Sequence, residues 1–144
     1  MHKLIFTAIA LLVLLVVLVF ASAKFYFWQP SQFTADSLAY RLKVHSAIKA
    51  FPVWAPIAPP LYLLRVADGA QRSLVAMTYH SELEQDDLLD RIQALGFTCA
   101  PALEQVIQCL NKTDSLHEVS VSLSRKKPGE KIRIETTFIG YGDE

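Results

Sequence analysis

The chain has no surplus of charge of either sign: 14 Lys+Arg stand against 14 Asp+Glu, and the net charge is zero. No long run of one sign breaks that balance, so no field gathers nucleic acid or an anionic surface, and nucleic-acid binding is disfavoured. Catalytic signatures are also missing. There is no G-x-S-x-G, H-E-x-x-H, C-x-x-C, P-loop or dinucleotide fingerprint, which lowers the expectation of an enzyme and implies no cofactor. Cysteine is scarce, with 2 in 144 residues, so at most one internal bridge can form. What is abundant is apolar surface. The chain is 52% hydrophobic, and that excess is concentrated at the amino terminus, leaving an ordinary globular fraction for one domain behind it.

Residues 4–23 carry no charged side chain, and residues 11–20 are unbroken Leu, Val and Phe. A helix there can cross a hydrocarbon core of roughly 30 Å. Ala21-Ser22-Ala23 also resembles the small-residue site of a cleaved signal peptide. Two features favour a retained anchor: the apolar stretch is longer than a secretory core, and Phe25, Tyr26, Phe27 and Trp28 follow it as an interfacial aromatic belt would. Contact with membrane lipid is therefore expected through residues 4–28, and residues 1–28 form the anchor or uncleaved signal. Lys24, Arg41 and Lys43 behind the span slightly outnumber Lys3 and the terminus ahead of it. A three-residue tail before a signal-like segment nevertheless stays inside, and long domains are translocated regardless of charge. The expected placement is single-pass, with the carboxyl domain extracytoplasmic, periplasmic in a Gram-negative cell.

Residues 29–60 read as a juxtamembrane segment. Within it Leu38, Leu42, His45 and Ile48 fit a helical stripe, although Leu38, Tyr40, Leu42 and Val44 also alternate as a strand does. Capping by Asp36 or Ser37 favours a helix over 37–50. Pro52, Pro56, Pro59 and Pro60 then make an extended connector. Trp54, Ile57, Pro59 and Pro60 are the candidate partner contact, because such a segment is ordered before binding. The competing and favoured reading is that Trp54 and Ile57 cover the domain's own core.

Residues 61–144 are expected to form a small α+β domain, an antiparallel sheet packed against one main helix. Residues 61–67 and 72–80 flank Asp68-Gly69, a hairpin signal. A two-residue turn would oppose Arg65 to Arg72, so a longer, bulged loop is expected. Ser81-Glu82-Leu83-Glu84 has the form of a capping box opening a helix over 82–95, closed by Gly96 with Phe97 folded back. Val119, Val121 and Leu123 alternate with serines, and Ile132, Ile134 and Phe138 alternate with polar residues. A turn at Lys127-Pro128-Gly129-Glu130 then sets Leu123 beside Ile134 and Val119 beside Phe138.

Between Cys99 and Cys109 two readings exclude each other. A helix over 101–110 would hold the thiols too far apart for a bridge. A turn near Leu103-Glu104-Gln105 sets them opposite on paired strands, and export makes pairing of the only two thiols the default. The hairpin with a disulfide is expected.

Other candidates have bland explanations. His80 could share a metal with Glu82 or Glu84, but a site needs three or four convergent ligands, and a surface histidine is favoured. His45 and His117 read as solvated. The acids from Glu82 to Asp90 read as the start of a helix, Arg125, Lys126, Lys127 and Lys131 as a soluble hairpin tip, and Asn111-Lys112-Thr113 as a chance glycosylation triplet. The expected function is a membrane-anchored binding or assembly module of an envelope complex, acting through protein contacts. Alternatives are an inhibitor or immunity-type protein against an exported toxin or enzyme, and a small hydrolase or metal-dependent enzyme centred on His80.

Overall fold

The computed structural model describes residues 2–26, 32–67, 72–103, 105–112, 118–125, 127 and 129–140, with backbone alone at 2–5, 8, 26 and 112. The Asp68-Gly69 turn, Phe27, Trp28, His117, Thr113, Lys126 and Pro128 lie outside the described residues. Helix α1, His2–Tyr26, is 25 residues long. Among the described residues no helix is long and apolar enough to cross a membrane. The expected span over residues 4–23 therefore does not follow from the described helix alone.

The α+β class expected for the remainder is what forms. Six strands, β1 (Leu61–Arg65), β2 (Leu74–Ser81), β3 (Thr98–Leu103), β4 (Val106–Lys112), β5 (Glu118–Ser124) and β6 (Ile132–Ile139), make one sheet in the order β1-β2-β6-β5-β4-β3. Every pairing is antiparallel. Helix α4, Gln85–Ala94, carries the chain from β2 to the far edge at β3, and the following strands return as a meander to close against β2. Leu88 and Ile92 of α4, one turn apart, are fully buried in the sheet's inner face.

Alternation sets which side chains line that face. Val75, Met77 and Tyr79 lie opposite Phe138, Thr136 and Ile134, which lie opposite Val119, Val121 and Leu123. The β5–β6 register is the expected one, Ser122 meeting Glu135 on the outer side. The core also reaches back to Phe33, Ala39, Val44 and Ile48, so residues 33–48 pack into the same cluster as the sheet.

Three local expectations need correction. The helix over 37–50 is two helices, α2 (Leu38–Lys43) and α3 (Ser46–Lys49), parted by Val44 and His45 in extended conformation. Burying Val44 in the core outweighs helix continuity there. Ser37 does cap α2, accepting from the Tyr40 amide at 3.1 Å, while His45 is only half-buried and caps α3 with Nδ1 rather than standing solvated. The capping box does not form: Ser81 is the last residue of β2, and its hydroxyl donates to the Trp54 carbonyl at 2.8 Å and accepts from the Leu83 amide at 3.2 Å rather than from that of Glu84. Helix α4 starts three residues later than expected, and Glu84 caps it without a side-chain bond. Its end is as expected, with Gly96 at φ 89° and Phe97 buried. Between β1 and β2, by contrast, Arg65 lies opposite Leu74, so the two arginines are not opposed, as a connection longer than two residues requires.

The sheet edges are blunted. Phe33 exchanges both backbone hydrogen bonds with Tyr62 of β1, at 2.9 and 2.7 Å. In β3 the Cα atoms of the disulfide-bonded Cys99 and Cys109 are 3.9 Å apart, the close spacing of a pair without mutual hydrogen bonds. Pro101, two residues on, falls at the same kind of position, so its missing N–H is one that would point off the edge.

Among the described residues Ser73, Ser81 and Thr136 are polar and buried. Thr136, fully buried between Met77 and Val121, has a hydroxyl with no hydrogen-bond partner among the described residues. Thr136→Val keeps the shape and removes an unpaired polar atom, so it should stabilise the fold by about 1 kcal/mol, read as a higher urea midpoint with unchanged slope. A loss of stability would mean that the hydroxyl is satisfied.

Candidate functional site

Residues 51–60 run across the end of the sheet, and their path is fixed by aromatic packing followed by backbone hydrogen bonds. Phe51 sits edge-on to Phe138 at 5.3 Å, Phe97 at 6.3 Å and Trp54 at 6.1 Å between ring centroids. The Trp54 amide donates to the Tyr79 hydroxyl at 3.1 Å, and its carbonyl accepts from Ser81. Ala55 then takes φ 41°, a left-handed conformation costly for a residue with a Cβ. It is held there because its carbonyl accepts from the Glu82 amide at 2.9 Å. Pro56 bridges to Ser81, and the Ile57 amide donates to the His80 carbonyl at 2.9 Å.

The chain then leaves β2 and rejoins it at Leu61, opposite Thr78. Pro56 facing Ser81 and Leu61 facing Thr78 differ in register by two residues, so the segment between them bows away from the strand. A groove of about 430 Å³ opens at the bow, its lining including the apolar Ile57, Pro59 and Leu61 and the polar Thr78, His80 and Lys131. Ile57, Pro59, His80 and Lys131 are exposed, Ile57 at 49%. On the outer face His80 lies opposite Arg133, whose guanidinium is occupied by Glu135 at 2.9 Å.

The candidate contact residues thus separate. Trp54 is half-buried and packs on the core, Pro60 is half-buried, and Ile57 with Pro59 forms the groove wall. The groove brings these two to His80, a meeting the sequence did not announce. Leu61 and Lys131 were not singled out for it, and the only signal was the run of prolines preceding an edge strand. Cys99 and Cys109 form the expected disulfide, across the sheet from the groove on β3 and β4. No group of three or more His, Cys, Asp or Glu side chains able to hold a metal ion occurs among the described residues. No protein-family model, curated protein or solved structure matches the chain.

Burial raises the Tyr79 phenol above its ordinary value against the smaller opposing effect of the Trp54 amide, and burial together with Tyr40 raises Tyr62. A tyrosine whose folded pKa exceeds its unfolded one contributes stability that is complete below about pH 10 and lost as pH climbs toward the folded value. Tyr79→Phe should therefore flatten the alkaline fall in urea midpoint while costing about 0.5–1.5 kcal/mol at neutral pH through the lost Trp54 bond. An unchanged alkaline slope would show that Tyr79 ionises in the folded protein as it does unfolded.

Proposed function

We propose that the chain is a membrane-anchored, extracytoplasmic assembly module that binds a protein partner through the groove beneath residues 57–61. The observation that carries the reading is α1, a 25-residue helix on which every described side chain is exposed, nearly all of them Leu, Val, Ile, Phe or Ala. Such a surface is costly in water and is covered at no cost by lipid. At 1.5 Å per residue its 25 residues are comparable in length to the apolar layer. The Cys99–Cys109 disulfide supports an oxidising compartment. The resulting placement is single-pass, with the sheet domain on the far side of the bilayer.

For the partner, the groove offers an apolar wall from Ile57, Pro59 and Leu61 beside the Lys131 ammonium and the His80 imidazole. That combination suits a segment presenting an apolar side chain next to a carboxylate. An inhibitor or immunity-type role would use the same contact and differ only in the partner being a toxin or enzyme. In this reading the chain is not itself an enzyme. No hydrogen bond orients the His80 imidazole among the described residues, and the groove lining includes no carboxylate to pair with it.

The test is site-specific photo-cross-linking of the full-length protein in its native membranes. A benzophenone side chain at Ile57 should give an adduct with one membrane-associated protein. The same probe at Gln93, exposed on α4, should not, and Lys131→Glu should remove the adduct. Equal adducts at both positions, or none at Ile57, would contradict the proposal.

A further inference from the structure

Helix α2 presents two large apolar side chains to solvent one turn apart, Leu38 at 61% and Leu42 at 59% exposure, while the same short helix buries Ala39. Cations surround the pair. Between residues 32 and 49 the chain carries Arg41, Lys43 and Lys49 against the single carboxylate of Asp36, which accepts from the Thr34 hydroxyl. Lys43 donates to the backbone carbonyl of Phe25 and stands 4.8 Å from the centroid of its ring, which fastens α2 to the carboxyl-terminal end of α1. Lys49 reaches across to the Arg41 carbonyl at 3.0 Å and lies 5.4 Å from the Tyr40 ring, so the cations are drawn into one patch.

We infer that the Leu38–Leu42 face of α2 rests in the outer headgroup layer of the bilayer that α1 spans, Leu38 and Leu42 entering the acyl boundary and Arg41 and Lys49 meeting lipid phosphates. This rests on the anchor reading of α1 and adds to it a second contact that fixes how the domain sits on the membrane. Three observations choose lipid as the occupant. The patch adjoins the end of α1, which by that reading leaves the bilayer there. Its charge is of the sign that anionic headgroups attract. Its form, exposed leucines flanked by basic side chains, is that of an interfacial element lying in the membrane plane. A domain held this way has its tilt set by two contacts rather than swinging on a tether.

The test uses the full chain reconstituted into vesicles of phosphatidylcholine and phosphatidylglycerol, with a nitroxide placed in turn by Val16→Cys, Leu42→Cys and Gln93→Cys. The native thiols are bridged and leave the new one to react. Collision with oxygen reports apolar surroundings, and collision with a nickel chelate reports water. The label at position 16 should be rich in oxygen and several-fold poorer in chelate than that at position 93, and the label at position 42 should share this signature. If position 16 is lipid-exposed while position 42 meets the chelate as freely as position 93, the docking inference fails and the anchor stands. Shielding of position 42 from both reagents would assign the face to a second copy of the chain and overturn the inference. Should position 16 itself meet the chelate, the anchor reading fails and takes the inference with it.

Discussion

The register between β2, β6 and β5 decides which side chains are inside the domain, and the other elements are placed by it. A shift of one residue along any of these strands would turn Val75, Met77 and Tyr79, or Ile134 and Phe138, out to solvent and bring Glu135 or Arg133 into the core. Burial of large apolar side chains at roughly 25 cal/mol per Å² makes such a slip far costlier than any turn or cap preference in the chain. Thr136 and Ser81 depart from the apolar row, and of the two Thr136 has the hydroxyl without a hydrogen-bond partner among the described residues.

The same row reaches the candidate site. Tyr79 and Ser81 are inner-face residues of β2, and their hydroxyls, at the end of the sheet where the core thins, bond the backbone of Trp54. Core register and groove geometry are therefore one constraint: the residues that pack the domain also hold residues 54–57 against β2, and the bow that follows makes the groove. Ala55 is kept in a left-handed conformation by these bonds, a local cost accepted for the path of the chain.

Features with a strict local period were legible in the sequence. Serines alternating with Val119, Val121 and Leu123 left one possible inner face for β5, and the turn around Gly129 fixed its partner residues in β6. The cysteine pair was legible because two geometries excluded each other and only one allowed a bond. Where long-range partners competed with local patterns, the sequence misled. Ser81 had the right spacing to cap a helix, yet it ends β2, where its hydroxyl donates to the sequence-distant Trp54 carbonyl and accepts from the Leu83 amide. Residues 37–50 had helical composition, but the core claimed Val44 and broke the helix in two. The groove was not legible, since it depends on residues 57–61 meeting residues 78–80 and 131 across a register offset that no periodicity records.

A helix with a bare apolar surface, a disulfide across two strands and a half-apolar, half-basic groove fit together if the domain lies beyond a membrane and works by contact. The disulfide gives the most direct check on that placement. The full-length protein should be recovered from cells quenched with a thiol-blocking reagent and its cysteines assayed by mass. The account predicts that Cys99 and Cys109 resist alkylation until a reductant is added and then both react. Alkylation of both thiols at the moment of quenching would contradict it.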